Sequence, residues 1–234
     1  MNNKINDIYN LIYKKKTNII LAYDNNDFPQ LCHFLSKIYP YIIGLKIHNE
    51  ILNLNPQQNI TLYNLCKCYS LFLWEDRKFN DISNTVIKQL KKYENVRDYI
   101  SICPISGPDL LKIKSKLGFF VLIEMSSDNN LFNNLTDKIY NWIIEEKNNV
   151  NNSICGIICQ DEKYFNIYSN SKDLITIKPG IHLTNTKDNI GQTYTNPQNM
   201  INKPTLFVIG RGITQSEDPI GEIKKYISIT YTSN

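Results

Sequence analysis

Apolar residues along this chain come in short, nearly unbroken runs, not in alternation with polar ones. Eight such runs recur: NIILAY at 18–23, YIIGLKI at 41–47, SLFLW at 70–74, YISIC at 99–103, GFFVLIEM at 118–125, SICGIIC at 153–159, LITIK at 174–178 and TLFVIG at 205–210. Runs of this length that stay apolar throughout and are rich in β-branched residues predict strands buried on both faces. Between most of them the apolar spacing changes to a helical period, in FPQLCHFLSKI, ISNTVIKQLKKY, DLLKIKSKL, LFNNLTDKIYNWIIEE and PIGEIKKYI. A further helical segment, INDIYNLIYKKK, precedes the first run. Buried strands alternating with helices over this length predict a single-domain (β/α)8 TIM barrel over residues 1–234, with an N-terminal helix in front. A doubly wound open sheet is the other arrangement of such units. It fits less well, because NIILAYDNNDFP lacks the glycine-rich turn that follows the first strand there.

Composition narrows the class. With 42% apolar and 21% charged residues, the chain has the makings of a sizeable core and a solvated surface. No apolar stretch approaches the ~18 residues of a membrane span, and MNNKINDIYN lacks the apolar centre of a signal peptide. A cytoplasmic protein is expected. A formal charge of +4 is too mild to argue for a nucleic-acid partner. The basic runs YKKK and KQLKK read as solvated helix faces. Six cysteines without a CxxC pair read as reduced thiols. His33, His48 and His182 lie too far apart in sequence to suggest a zinc site.

In a barrel of parallel strands, chemistry collects at the C-terminal strand ends. Those ends carry Asp24 after the first run, Lys46 and His48 at the second, and Asp76 and Lys78 after the third. Glu124, Ser126 and Ser127 close the fifth, Lys178, Pro179 and Gly180 the seventh, and Gly210, Arg211 and Gly212 the eighth. Two lysines and two aspartates thus converge on one mouth. Extended backbone would turn Asp76 and Lys78 to one face. Asp81 suits the start of the next helix, with Thr85 one turn further on the same face. Burying such charges costs several kcal/mol each unless they pair well, which is usual at an active site.

These residues bring a family into view. WEDRKFNDISNT closely resembles the signature of the orotidine 5′-phosphate decarboxylase family, DxKxxD with a threonine four residues on. LKIHNEIL at 45–52 resembles its second strand, VLIEMSS at 121–127 its pyrimidine-contacting fifth strand, and KPGI, GQTY at 191–194 and IGRG at 209–212 its phosphate loops. The resemblance runs in order from Asp24 to Arg211. Two segments depart from it: CPISGPD stands where the family often has Asn-Ala-His, and SDNNLFNN where it usually has Lys-Gly.

The resemblance implies removal of CO2 from carbon 6 of orotidine 5′-phosphate to give UMP, with no metal and no organic cofactor. It assigns proton donation to Lys78, flanked by Asp76 and Asp81, and makes Lys46 the link between Asp76 and the ribose. Asp24 would bind the ribose, and Ser126 the pyrimidine edge. Pro179, Gln192, Tyr194, Gly210, Arg211 and Gly212 would hold the phosphate. Asp81 and Thr85 would come from the neighbouring subunit of a homodimer. His48, Trp74 and Phe79 are expected to be structural, and Glu124 a supporting residue. No room remains within these residues for an orotate phosphoribosyltransferase domain. The alternatives are a Mg2+-dependent sugar-phosphate lyase or decarboxylase of the same superfamily, where an acid replaces Lys46, and a UMP-binding dimer without activity.

Overall fold

The computed structural model describes residues 3–127, 130–149, 151–168, 173–184, 187–188 and 191–231. Its strands are β1 (Ile19–Tyr23), β2 (Gly44–Ile47), β3 (Phe72–Phe79), β4 (Tyr99–Ile102), β5 (Gly118–Leu122), β6 (Ile154–Ile158), β7 (Ile175–Lys178) and β8 (Leu206–Ile209). All pair in parallel in sequence order, and β8 returns to β1 through Ile20 opposite Val208, which closes the barrel. The expected fold is therefore the observed one, and every apolar run supplies one strand.

The helices are α1 (Asn3–Lys15), α2 (Phe28–Ile38), α3 (Asn49–Leu52), α4 (Pro56–Cys68), α5 (Ser83–Leu90), α6 (Thr136–Asn148), α7 (Glu162–Tyr168), α8 (Arg211–Thr214) and α9 (Pro219–Thr230). The helical period does not reveal α4, whose apolar residues are scattered around its axis. Its start is specified locally instead, by a reciprocal capping box between Asn55 and Gln58 with Pro56 as the first helical residue. The expected helix at 109–117 is a correction: only a 3-10 turn forms, over Pro108–Lys112. Beyond it the chain is irregular, and tertiary partners satisfy the backbone. Asn151 Nδ2 donates to the carbonyls of Leu111 (2.5 Å) and Ile113 (3.2 Å), and Ser153 Oγ pairs with both backbone groups of Ser115.

Two apolar layers result. One lies between strands and helices and includes Leu21, Leu45, Leu73, Phe119 and Phe207. The other fills the barrel, with Ile20, Ile43, Phe72, Trp74, Tyr99 and Phe120 packed together with Ile5 and Ile8 of α1. Helix α1 therefore plugs the N-terminal end. Inside, Tyr99 stacks on Phe120 at 4.7 Å and Trp74 meets Phe120 edge-on at 5.1 Å. Gly118 makes room for this layer, since a Cβ there would sit 2.4 Å from the Tyr99 ring. Lys15 fixes the plug by donating to the carbonyls of Tyr39 (2.8 Å), Ile42 (3.0 Å) and Tyr69 (2.8 Å). At the same rim Asn18 Nδ2 donates to the Thr230 carbonyl, 3.2 Å away, joining the start of β1 to the end of α9.

Candidate active site

With one end plugged, the other end opens into a cleft of about 680 Å³ lined by residues from β1, β2, β3, β5, β6 and β8 and from the segment that follows β7. Ten of the thirteen residues picked out in the sequence line it: Asp24, Lys46, Asp76, Lys78, Ser126, Pro179, Gln192, Tyr194, Gly210 and Arg211. Asp81, Thr85 and Gly212 do not.

The third strand positions the charges differently from expectation. It does not end with its apolar run but continues through Glu75, Asp76, Arg77 and Lys78 to Phe79. Glu75 pairs with Ile100 and Phe79 with Ile102, so β3 bulges by two residues against β4. Lys78 lies within this bulge in the left-handed region, at φ 59°. Such backbone is uncommon for a side chain of this size. Asp76 and Lys78 therefore converge through the bulge, and not through the alternation of an extended strand. The base of the bulge is anchored by a fully buried ion pair, Glu75 to Arg97 Nε at 3.1 Å. Glu75 also accepts from the Asn49 amide at 2.8 Å.

Asp76 stands between two ammonium groups. Its Oδ1 lies 2.9 Å from Lys78 Nζ and its Oδ2 3.2 Å from Lys46 Nζ. Lys46 reaches on to Asp24 at 3.4 Å, while the Nε2 of His48 lies 3.0 Å from Lys46 Nζ. Lys46 and Asp76 are 6% and 7% exposed, so these charges act with little screening. Burial alone would raise the Asp76 carboxyl, but Lys46 and Lys78 outweigh it and hold the group well below the usual carboxylate range. Burial likewise opposes the charge on Lys46, yet Asp76 and Asp24 raise its pKa. Burial and then Lys46 lower His48, which suits a neutral ring whose Nε2 accepts from the ammonium. Expected to be only structural, His48 belongs to the charge array.

Across the cleft, Ser126 Oγ donates to Gln192 Oε1 at 3.1 Å. The Gln192 segment is bridged antiparallel by Lys187, which stands opposite Thr193. Gly180 is required beneath it: its φ is 74°, and a Cβ would meet Gln192 Nε2 and the Thr193 carbonyl at 2.8 Å. Arg211 stacks over the Tyr194 ring at 5.5 Å and pairs with Asp188 at 2.5 Å. Asp188 also accepts from the Gln192 amide at 2.8 Å, and nothing in its polar surroundings marks it in the sequence. Gly212 stands apart from the cleft, packed under the Tyr226 hydroxyl. Glu124, expected to be a supporting residue, lines the cleft and accepts from the amides of Gln160 (2.6 Å) and Asp161 (2.8 Å).

Asp81 is exposed and precedes the N-cap of α5, which is Ile82, and its carboxylate accepts from the Ile82 amide at 2.7 Å. Thr85, half-buried, follows on α5. In the departing loop after Ser126, Asp128 and Asn129 lie outside the described residues. No metal fits the lower cleft well, since an ammonium separates Asp24 from Asp76. Among the described residues no three His, Cys, Asp or Glu side chains are grouped as ligands.

Comparison with known proteins agrees with this geometry. The chain is 26% identical to the orotidine 5′-phosphate decarboxylase of Emericella nidulans, covering 94% of this chain and 86% of that one. It is 29% identical to the uridine 5′-monophosphate synthase of Bos taurus, covering 92% of this chain but only 46% of that protein, so it spans about half of the synthase. The fold is that of the orotidine 5′-monophosphate decarboxylase of Methanocaldococcus jannaschii complexed with the inhibitor BMP. That match has a TM-score of 0.69 at 18% identity, over 92% of this chain and 99% of that one. Residues 17–226 match the family described as orotidine 5′-phosphate decarboxylase / HUMPS, and the chain belongs to that family.

Proposed function

We propose that this chain is a carboxy-lyase that converts orotidine 5′-phosphate to UMP and CO2, the last step of de novo pyrimidine synthesis, using no metal or organic cofactor. The observation that carries the reading is the Lys46–Asp76–Lys78 array, with Asp76 held anionic between two ammonium groups at the mouth of the barrel. Loss of CO2 leaves an electron pair on carbon 6 that the pyrimidine π-system cannot accept. A fixed ammonium beside that carbon stabilises the pair and then transfers a proton to it. Lys78 takes this role and recovers its proton from solvent. Asp76 holds the ammonium in place and faces the departing carboxylate. Lys46 and Asp24 engage the ribose, Ser126 the pyrimidine edge, and Arg211 with Gln192 and Tyr194 the phosphate, for which Asp188 gives way.

The Mg2+-dependent alternative requires an acid where β2 supplies Lys46, and an ammonium there repels the metal. The dimer belongs to the same proposal. The helix start that carries Asp81 is flanked by exposed Ile51 (43%), Ile82 (63%), Ile87 (44%) and Ile105 (50%). Arg77 to Glu50 (2.8 Å) and Ser106 to the Asp81 carbonyl (3.1 Å) tie these segments into one face. A second copy docked there would bring Asp81 and Thr85 to its partner's Lys78. Six free thiols suit a reducing compartment, and we place the reaction in the cytosol. The test is spectrophotometric: purified protein should consume orotidine 5′-phosphate equally with and without a chelator. No turnover, or turnover abolished by the chelator, refutes the reading.

A further inference from the structure

One buried polar group beside the array has no role in the reaction as set out above. Ser101 lies in β4, between Ile100 and Ile102, directly opposite the bulge of β3. It is fully buried, at 0% exposure. Its Oγ is 2.6 Å from Asp76 Oδ1 and 2.9 Å from the indole Nε1 of Trp74, itself a wall of the cleft. The chemistry of the indole decides the direction of both bonds. An indole N–H can only donate, so it occupies the lone-pair side of the Ser101 oxygen. The single hydroxyl proton is left pointing at Asp76. A serine alone can turn its proton toward several acceptors, but one held from behind by an indole cannot.

We infer that Ser101 is a positioning residue which, backed by Trp74, fixes the Asp76 carboxylate in the orientation that faces Lys78. Asp76 Oδ1 takes two donors, the ammonium of Lys78 and this hydroxyl. Without the hydroxyl, Oδ1 keeps only the Lys78 ammonium as its donor, and the two lysines alone set the tilt of the carboxylate about its last bond. The Lys78 ammonium then loses the fixed partner that aims it at carbon 6. Preorganised charge contributes to rate only while it stays aimed. The aromatic barrel interior acquires a function here: Trp74, expected to be structural, sets the direction of a hydrogen bond to the array. This inference rests on the decarboxylase reading for its kinetic readout, but not for its spectroscopic one.

The test uses Ser101→Ala and Ser101→Cys, the latter keeping shape while replacing a strong donor by a weak one. Loss of one charge-assisted hydrogen bond should lower kcat by roughly 10- to 100-fold in both. KM and UMP affinity should stay within about threefold, since Ser101 touches no substrate atom. Trp74→Phe should lower kcat less than Ser101→Ala, because the hydroxyl remains. Trp74 and Trp142 are the two tryptophans of the chain. Two indole N–H resonances are therefore expected, assigned by their loss in Trp74→Phe, and that of Trp74 should move upfield in both Ser101 variants. If Ser101→Ala misfolds, the near-isosteric Ser101→Cys decides. A cysteine variant with wild-type kcat means that only shape matters, and overturns the inference. So does a parallel loss of kcat and UMP binding, which marks a merely structural role. Should the wild type fail to turn over orotidine 5′-phosphate, the functional reading falls. The indole shift still decides whether Trp74 holds Ser101 from behind, and an unchanged shift overturns the inference.

Discussion

Lys78 combines a functional charge with an unfavourable backbone. Its φ of 59° costs a non-glycine residue ~1 kcal/mol or more. Replacing it by alanine removes the ammonium and keeps the strain, whereas glycine removes both. Each variant should lose at least ~10²–10³-fold in turnover, and Lys78→Gly should unfold at a free energy ~1 kcal/mol above Lys78→Ala. Denaturant unfolding of the pair, with assays beside it, checks both; equal stability would mean that the left-handed turn costs nothing. Asp76 gives a pH prediction. Its folded pKa is depressed by the two lysines, so its stabilising contribution is complete above the unfolded value of ~3.9 and fades as pH falls towards the folded one. Lys46 is raised, so its contribution is complete below ~10.4 and fades above it. The stability gap between wild type and Asp76→Asn should therefore be flat from roughly pH 6 to 8 and narrow below about pH 4. A gap that changes across neutrality would contradict the pairing. Most cleft residues were readable because each ends an apolar run. Ser101 and Asp188 were not: one is a lone hydroxyl inside an apolar strand, the other a single acid in a polar stretch.

The strands were legible because burial on both faces leaves an unbroken apolar imprint. The imprint fails where charges compensate one another. β3 runs on through Glu75 and Asp76, because Arg97 and Lys46 make those acids as buriable as apolar side chains. The pattern equally overstates 109–117, where Leu110, Leu111 and Ile113 are buried without a helix. Helix α5 carries the strongest test of the dimer. Asp81 at its start and Thr85 in its first turn are outside their own cleft and beside an apolar face. If they complete the partner's site, Lys78→Ala and Asp81→Ala chains should rescue each other. Co-refolded at random, about half the dimers are mixed, and one of the two sites in each is intact, so about a quarter of wild-type activity should return. Activity no higher than that of the parents, with dimers confirmed by light scattering, would assign Asp81 to its own subunit.

The barrel as a whole is closed at one end and reactive at the other. Helix α1 and Lys15 make the closed end, and neither touches the cleft. Lys15→Met should leave three carbonyls without their donor and cost ~2 kcal/mol, a value reduced for partial exposure. That lowers Tm by ~4–8 °C for a chain of this size, with kcat unchanged below the transition. Thermal unfolding by circular dichroism reads the first and the decarboxylation assay the second; a fall in kcat would show that the two ends are coupled. The hydrogen bond between Asn18 and Thr230 has a different consequence. It brings the two ends of the barrel's covalent circuit together on the side away from the mouth. The start of α1 lies at the same end, where the Lys4 carbonyl accepts from the Tyr99 hydroxyl at 2.8 Å, so a linker from α9 to α1 would cross only the closed rim and keep the plug, and the chain could be reopened at an outer loop as a circular permutant. By the same geometry, a second catalytic domain fused beyond α9 would hang from the closed rim. It would leave the mouth open to substrate, so two consecutive enzymes could share one polypeptide without either obstructing the other.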